Sequence, residues 1–597
     1  MRAVRARTRY LRYHRGPIRV SLFVVGGLIG LGVVWIAITA FLARQQTQHL
    51  DDRLQQIRTL VAAGQIEDAQ QLAKGIPAIA ERAHALTSGP AWWIGAQLPW
   101  LGDPLEVARG TTLAGSRVGG GVIPKLLSVA DSLNPSTLRT TGDTIRLAPL
   151  VAAVPTLQAA AREIDKATDE LATLPSSTWI SAVDAGRVAF ASNLGTIRGY
   201  VDAAARVAGV LPTMLGKDRP QTYFIGLQNE AELRGTGGLP GAFAIAVAQR
   251  GTLRFTRFES DAALLPPGPD HKIPTGLSFG PGYAAAYGPS LPTNTFVDSN
   301  VSPNFPYAAQ IWQAMWKKVS GQQVDGVLAL DPTVLSYFLA VTGPATLSGG
   351  GTIDANNVVT LTERDEYALF SDNFVRKRFI VSVLKAASRK LISGAGSGLS
   401  IMHAASRAAS EQRLLAWSSD PHVESVLEQS NFAGAIPRTD RPFAGLILNN
   451  AAAGKLDFYL TRSITYERTG CGPDRDILVT IKLTNNAPAT GLPPYVVSRL
   501  DDPPPSAKPG DNHAIVDFYA TPGAQLNSVT LNGKASTAAV ERDLGHPIFR
   551  LDLELPRGTT QTIALHLQEP AGTGSPLIWR QPGVTPLDVQ VYNQNCD

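Results

Sequence analysis

The alternation of apolar and polar positions changes character three times along the chain and divides it into parts. Val20 to Ala43 (VSLFVVGGLIGLGVVWIAITAFLA) carries no charge over 24 residues. As a helix this run would reach ~36 Å, enough to cross a bilayer core with some tilt. From 44 to 215 apolar residues recur at helical spacing, as in Leu50–Val61, Ile66–Ile79, Leu105–Leu133, Leu147–Leu174 and Ile180–Leu211. This predicts a helical stalk or bundle. Within it, Pro90-Ala91-Trp92-Trp93-Ile94 and Pro99-Trp100-Leu101-Gly102 form an aromatic, proline-bounded segment. Two placements suit it, a membrane interface and the space between helices.

At Pro220 the pattern becomes mixed. Thr222–Leu227, Ala242–Ala248, Leu253–Phe258 and Val324–Leu330 read as strands. Tyr307–Val319, Pro332–Thr342, Arg364–Ile392, Glu411–Trp417 and Pro421–Ser430 read as helices, and 262–304, rich in Pro, Gly and Asn, as a long surface loop. An α/β domain over 216–450 is expected. Beyond it, Leu456–Tyr466, Ile477–Leu483, Ile515–Tyr519, Leu526–Leu531, Ile548–Leu553, Gln561–Leu567 and Leu587–Tyr592 are short strands. The turn Asn532-Gly533 is a hairpin signal. A C-terminal β-sandwich over 451–597 follows. The fold class is thus multidomain α+β: a basic tail (1–19), a single transmembrane helix (20–43), a helical stalk or bundle (44–215), an α/β domain and a β-sandwich.

Charge refines this picture. The chain holds 54 Lys and Arg against 49 Asp and Glu. Seven of the arginines (Arg2, Arg5, Arg7, Arg9, Arg12, Arg15, Arg19) precede the apolar run, which leaves 47 basic against 49 acidic groups elsewhere. The remainder is nearly neutral, which argues against a nucleic-acid-binding body. Only Arg44, Arg53 and Arg58 follow the run closely, so the positive-inside rule sets the N-terminus in the cytoplasm and the bulk outside. The length of the run and its poor cleavage site favour an uncleaved signal anchor over a signal peptide. In an oxidising compartment Cys471 and Cys596 are expected to pair as a disulfide, and two cysteines exclude multi-cysteine zinc or iron–sulfur centres.

Candidate chemistry is sparse. The nine histidines are scattered, with no HExxH, and there is no GxSxG. Arg234-Gly235-Thr236-Gly237-Gly238-Leu239-Pro240-Gly241 lacks both the Walker lysine and the GxGxxG spacing. Its glycines suit either a tight turn or a close approach to a ligand. Glu230, Glu232 and Arg234, then Glu259 and Asp261, then Arg376, Lys377 and Arg378 are polar groups beside apolar strands and on a helix. Arginines converging with a carboxylate suit a pyrophosphate with a divalent cation, and ordinary salt bridging accounts for each residue separately.

The run Gln228-Asn229-Glu230-Ala231-Glu232-Leu233-Arg234-Gly235-Thr236-Gly237-Gly238 resembles the QNxAELRxTGG signature of a bacterial membrane-anchored family, domain of unknown function forty-twelve. That family carries no assigned activity. More distantly, residues 222–390 resemble the LytR–CpsA–Psr domain, through Val324–Asp331, Val341-Thr342-Gly343-Pro344 and Phe374-Val375-Arg376-Lys377-Arg378-Phe379. Members of that family transfer polymers from polyprenyl pyrophosphate carriers to the cell wall. The resemblance implies Arg234 and Asp261 as catalytic residues, with Arg234, Arg376 and Arg378 on the pyrophosphate and Asp261 holding Mg²⁺. Glu232, Gly237 and Gly238 are candidate binding residues beside them. Gly235-Thr236 replaces the Ser-Asp after the family's first arginine, and Ser260 replaces the arginine before Asp261. The resulting expectation is an envelope protein that binds, or binds and transfers, a lipid-linked pyrophosphate or glycopolymer. The alternative is a non-catalytic surface scaffold for a protein or glycan.

Overall fold

The computed structural model describes the backbone of residues 15–62, 65–133, 138, 144–266, 271–393, 398–468, 475–570, 572 and 574–592. Side chains are described over the same residues except 15–29, 58, 61, 62, 66, 398 and 399. Cys471 and Cys596, and with them the expected disulfide, lie outside the described residues, as does most of the basic tail. The chain forms two compact units, one of residues 1–137 and 148–209, the other of 138–147 and 210–597.

The first unit is helical. It comprises α1 (Arg15–Ala62), α2 (Ile66–Ala73), α3 (Ile76–Thr87), α4 (Pro90–Ala96), α5 (Asp103–Gly121), α6 (Ile123–Ser132), the helix Leu147–Ala172 from Ala148 onward and the helix Ser181–Met214 as far as Gly209. In Leu147–Ala172 the buried side chains are Leu150, Ala153, Leu157, Ala160, Ala161, Ile164, Ala167 and Leu171, steps of three and four that keep one stripe inward. The stripe packs with Ala114, Val118, Leu194 and Val201. The expected membrane span falls within α1. Among the described residues, no helix is long and apolar enough to cross a membrane.

The second unit opens with a five-stranded sheet. β1 (Gln221–Arg234), β2 (Gly237–Gln249) and β3 (Thr252–Ser260) form an antiparallel meander, and β4 (Gly326–Leu330) runs parallel to β1. A small ribbon, β5 (Ala345–Thr346) and β6 (Thr352–Ile353), precedes the edge strand β7 (Leu415–Ser418). The order is β3-β2-β1-β4-β7. One face packs on the helices Pro332–Thr342, Asn373–Ile392 and Gly398–Ser410, the other on Phe305–Ser320 through Trp312 and Trp316.

Two helix expectations are corrected here. Glu411–Trp417 is the turn after helix Gly398–Ser410 followed by the start of β7, with Gln412 at φ 58° in a conformation that does not continue a helix. Arg364–Ile392 is broken: a π-turn (Leu361–Asp365) and a short helix (Glu366–Leu369) precede Asn373–Ile392, whose N-terminus Asp372 caps by accepting from Val375 N at 2.9 Å.

Two further sheets stack as a sandwich. One contains β8 (Phe443–Asn450), β11 (Asn512–Ala520), β14 (Ala539–Asp543), β15 (His546–Leu555) and β17 (Leu577–Arg580). The other contains β9 (Leu460–Arg468), β10 (Arg475–Asn485), β12 (Gln525–Leu531), β13 (Lys534–Ser536), β16 (Thr560–Glu569) and β18 (Asp588–Tyr592). In β10, Ile477, Val479, Ile481 and Leu483 point inward between half-exposed or exposed residues, the period-two pattern of a half-buried strand. β8 is buried throughout: Ala444, Leu446 and Leu448 enter the sandwich core, while Phe443 and Ile447 pack with Tyr283, Tyr287 and Tyr519.

What joins the α/β sheet to the sandwich is β1 itself. Its pairing with β2 slips between Asn229 and Leu233, so Glu230, Ala231 and Glu232 leave the ladder. Other partners satisfy the freed backbone. Ala231 N donates to Glu363 Oε2 (2.6 Å) and Leu233 N to Asp457 Oδ2 (2.8 Å), while Arg234 O accepts from Gln581 Nε2 (2.7 Å). The side chains are met as well. Arg413 Nη1 lies 2.8 Å from both Glu230 and Asp331, with Nη2 donating to Gly583 O. Glu230 is held up above the ordinary carboxylate range by burial, with Asp331 adding to the effect against the pull of Arg413. Removing one partner of such a buried set strands the others in low dielectric. Arg413→Met is therefore expected to cost about 3–5 kcal/mol in urea unfolding of the full chain. A loss below about 1 kcal/mol would show that the set contributes little beyond an exposed pair.

Candidate functional site

The sequence-expected residues divide between two places. Arg234 belongs to the seam. It is buried, with Nη2 at 2.9 Å from Glu232 and 3.1 Å from Asp298, and it also donates to Leu233 O and Asn450 O. Burial opposes the charge on Glu232, but Lys455 and Arg234 outweigh it and hold that carboxyl below the ordinary range. Gly237 has φ 138°, and a Cβ on Gly238 would meet Asn229 O at 2.2 Å, so both glycines serve the tight β1–β2 hairpin. Asn300 completes this corner, its Nδ2 donating to Gln228 Oε1, Thr236 Oγ1 and Gly238 O. Arg378 is exposed, its guanidinium 5.7 Å from the Phe374 ring.

Asp261 and Arg376 come together elsewhere, in a pocket beside the seam. Asp261 starts the 3-10 turn after β3, and helix Asn373–Ile392 supplies Asn373, Arg376 and Lys377. The π-turn region supplies Glu363, Glu366 and Tyr367, β1 supplies Gln228 and Asn229, and the sandwich side supplies Lys455 and Tyr495. The cavity holds about 60 Å³. A second cavity of about 200 Å³, sharing Glu363, Tyr367 and Lys455, extends toward Arg364, Tyr459 and Gly491.

The cations in the pocket are already engaged. Lys377 Nζ is 2.8 Å from Asp261 Oδ1, and Lys455 pairs with Glu232. Arg376 donates to Phe370 O (3.0 Å) and Asn373 Oδ1 (2.9 Å) and lies 3.8 Å from the Tyr495 ring, which stacks on Tyr367. Arg376 forms no ion pair among the described residues, but its two Nη groups are turned to Phe370 O and Asn373 Oδ1, which occupies the fork that a phosphate would use. Mg²⁺ does not fit at Asp261 either. Its carboxylate is taken by Lys377, and among the described residues the metal-ligand spacing occurs only at Asp501, His513 and Glu554. That cluster is in turn ion-paired by Arg499, which reaches both Asp501 and Glu554.

Asp261 Oδ1, although ion-paired with Lys377, has no hydrogen-bond partner among the described residues, and two acids that the sequence did not single out share that condition. Glu363 Oε1 and Glu366 Oε2 are buried without a partner among the described residues. Burial pushes Glu363 up to about 8 against the backbone N–H groups of Ala231 and Glu230, and Glu366 up to about 8 against Arg376 and Lys455. Near neutral pH both are largely protonated, so each offers a donor as well as an acceptor. The acids in Thr362-Glu363-Arg364-Asp365-Glu366-Tyr367 were visible as a charge-rich run, but only the π-turn brings Glu363, Glu366 and Tyr367 to one cavity.

These acids have pKa values above their unfolded ones, so the folded chain holds the extra protons. Their favourable contribution is complete below about pH 4.5 and is lost as pH rises through about 8. The double variant Glu363→Gln/Glu366→Gln is expected to melt several degrees above the parent at pH 9 and within a degree of it at pH 4.5, by calorimetry. Equal melting temperatures at pH 9 would refute the protonated assignment.

No curated protein and no solved structure matches the chain. Residues 218–367, from just before β1 to Tyr367 of the pocket, match the family model described as protein of unknown function (DUF4012), the family whose signature the run 228–238 resembles.

Proposed function

We propose that the chain is a membrane-anchored cell-envelope protein, N-terminus cytoplasmic and bulk extracytoplasmic, whose second unit binds a sugar-bearing group of an envelope glycopolymer without transferring it. The anchor reading rests on the uncharged run 20–43 and its arginine-rich flank, and on the exposure of Leu31, Val33, Val34, Trp35, Ile38 and Phe41 along α1. The observation that carries the binding reading is the pair of buried, unpartnered oxygens of Glu363 and Glu366 in a pocket also lined by Asn229, Asn373 and a stacked tyrosine pair. Neutral acids and amides present donors and acceptors side by side, the pairing that vicinal hydroxyls need, and aromatic faces cover the apolar side of a sugar ring.

A pyrophosphate transferase of the LytR–CpsA–Psr type is the reading this arrangement disfavours. It would need Arg234 beside Asp261, whereas Arg234 is committed to Glu232 and Asp298.

The test is titration calorimetry of the detergent-purified full chain against oligosaccharides released from cell wall by mild acid, and against a prenyl pyrophosphate with Mg²⁺. The oligosaccharides are expected to bind, and Glu366→Leu to weaken them by about 1–3 kcal/mol, roughly 5- to 150-fold. Arg378→Ala, on a side chain outside the pocket, should leave binding unchanged. Tighter binding of the prenyl pyrophosphate, or phosphate release from it, would overturn the reading in favour of transfer.

A further inference from the structure

Ser88 to Gly102 contains no charged residue over 15 positions and is bounded by Asp103. It forms α4 and the turn that follows, and its large side chains face outward: Trp93, Ile94, Leu98, Trp100 and Leu101 are each more than half exposed. Soluble surfaces rarely leave so contiguous an apolar patch uncovered. One residue of the segment is turned the other way. Trp92 is buried, and its Nε1 donates to Thr39 Oγ1 of α1 at 2.8 Å. Gly89 lies beside the Trp35 indole and Gly95 beside Ile36. The segment is thus fastened alongside residues 35–39 of α1, next to the exposed apolar side chains already described there. The turn holds Trp100 at φ 64°, a left-handed conformation uncommon for a bulky residue, with Leu101 N donating to Pro99 O.

We infer that residues 88–102 are a foot immersed in the membrane leaflet from which α1 emerges, with lipid headgroups and upper acyl chains as its partner. The inference rests on the anchor reading above. Residues 35–39 lie four to eight positions before Ala43, the last residue of the uncharged run. At 1.5 Å per residue this sets the foot about 6–12 Å below the end of that run. Interfacial helices commonly lie about 5–10 Å deep. Two exposed indoles suit that depth, where a ring that is apolar in body and polar at its N–H is favoured. The absence of charge in the segment favours lipid over a protein partner, whose contact would normally add a polar rim. α3 and α5 flank the foot, so the helical unit would stand on the membrane through α1 and this turn together.

The experiment uses the full-length chain in phosphatidylcholine–phosphatidylglycerol nanodiscs, with benzoylphenylalanine replacing Val34, Trp100 or Tyr200 in turn. Tyr200, 70 % exposed on the same unit, is the aqueous control. After irradiation, mass spectrometry should find lipid adducts at positions 34 and 100 and none at 200. A lipid adduct at 34, with position 100 giving only water-quenched product or cross-links to a second copy of the chain, would overturn the foot while leaving the anchor intact. No lipid adduct at 34 would overturn the anchor reading and the foot with it.

Discussion

Glu230, Glu232 and Arg234 occupy alternate positions of one strand, and all three are at most 4 % exposed. Burying three ionisable groups within five residues is tolerable only when each finds a partner, because an isolated ion in a low-dielectric interior costs several kcal/mol. The partners come from distant parts of the chain. Arg413 serves Glu230 and Asp331 together, Lys455 serves Glu232, and Asp298 serves Arg234. The pairing ties the α/β sheet to the sandwich, and the departure of these residues from the β1–β2 ladder gives the strand the freedom to meet them.

The pocket is a by-product of the same solution. Lys455 reaches into the seam to neutralise Glu232 and lines both cavities on its way. Glu363 uses one oxygen to satisfy the backbone of β1 and leaves the other facing the cavity. Local charge balance thus fixes which groups remain available for a ligand. The lysines are paired, Arg376 is turned to a carbonyl and an amide, and neutral acids are left over.

Much of the architecture was legible because it depends on local periodicity. The strict alternation in β10 and the three-to-four spacing in Leu147–Ala172 each announce one buried face. β8 was not legible, because burial on both faces erases alternation and leaves Phe443–Asn450 looking like any apolar run. The signature run was conspicuous in sequence, yet its charges are read correctly only with their partners. Arg234 looks like a phosphate-binding arginine until Glu232 and Asp298 are seen beside it. Glu363 looks like a surface acid until the π-turn buries it. Charge chemistry is set by neighbours as near as Glu232 is to Arg234 and as remote as Lys455 is from Glu232, a range that no spacing rule encodes.

That remoteness bears on how the chain is made. Glu232 and Lys455 are 223 residues apart, and Arg234 and Gln581 are 347 apart. At roughly 5–20 residues per second, synthesis supplies Lys455 about 11–45 s after Glu232. Until then Glu232 lacks the lysine that lets it be buried as an ion, so that end of β1 stays solvated, although the hydrophobic clusters on both faces of the sheet, drawn from residues up to Phe432, can already form. Sealing the seam is therefore left to residues of the C-terminal domain, after the sheet they close has packed.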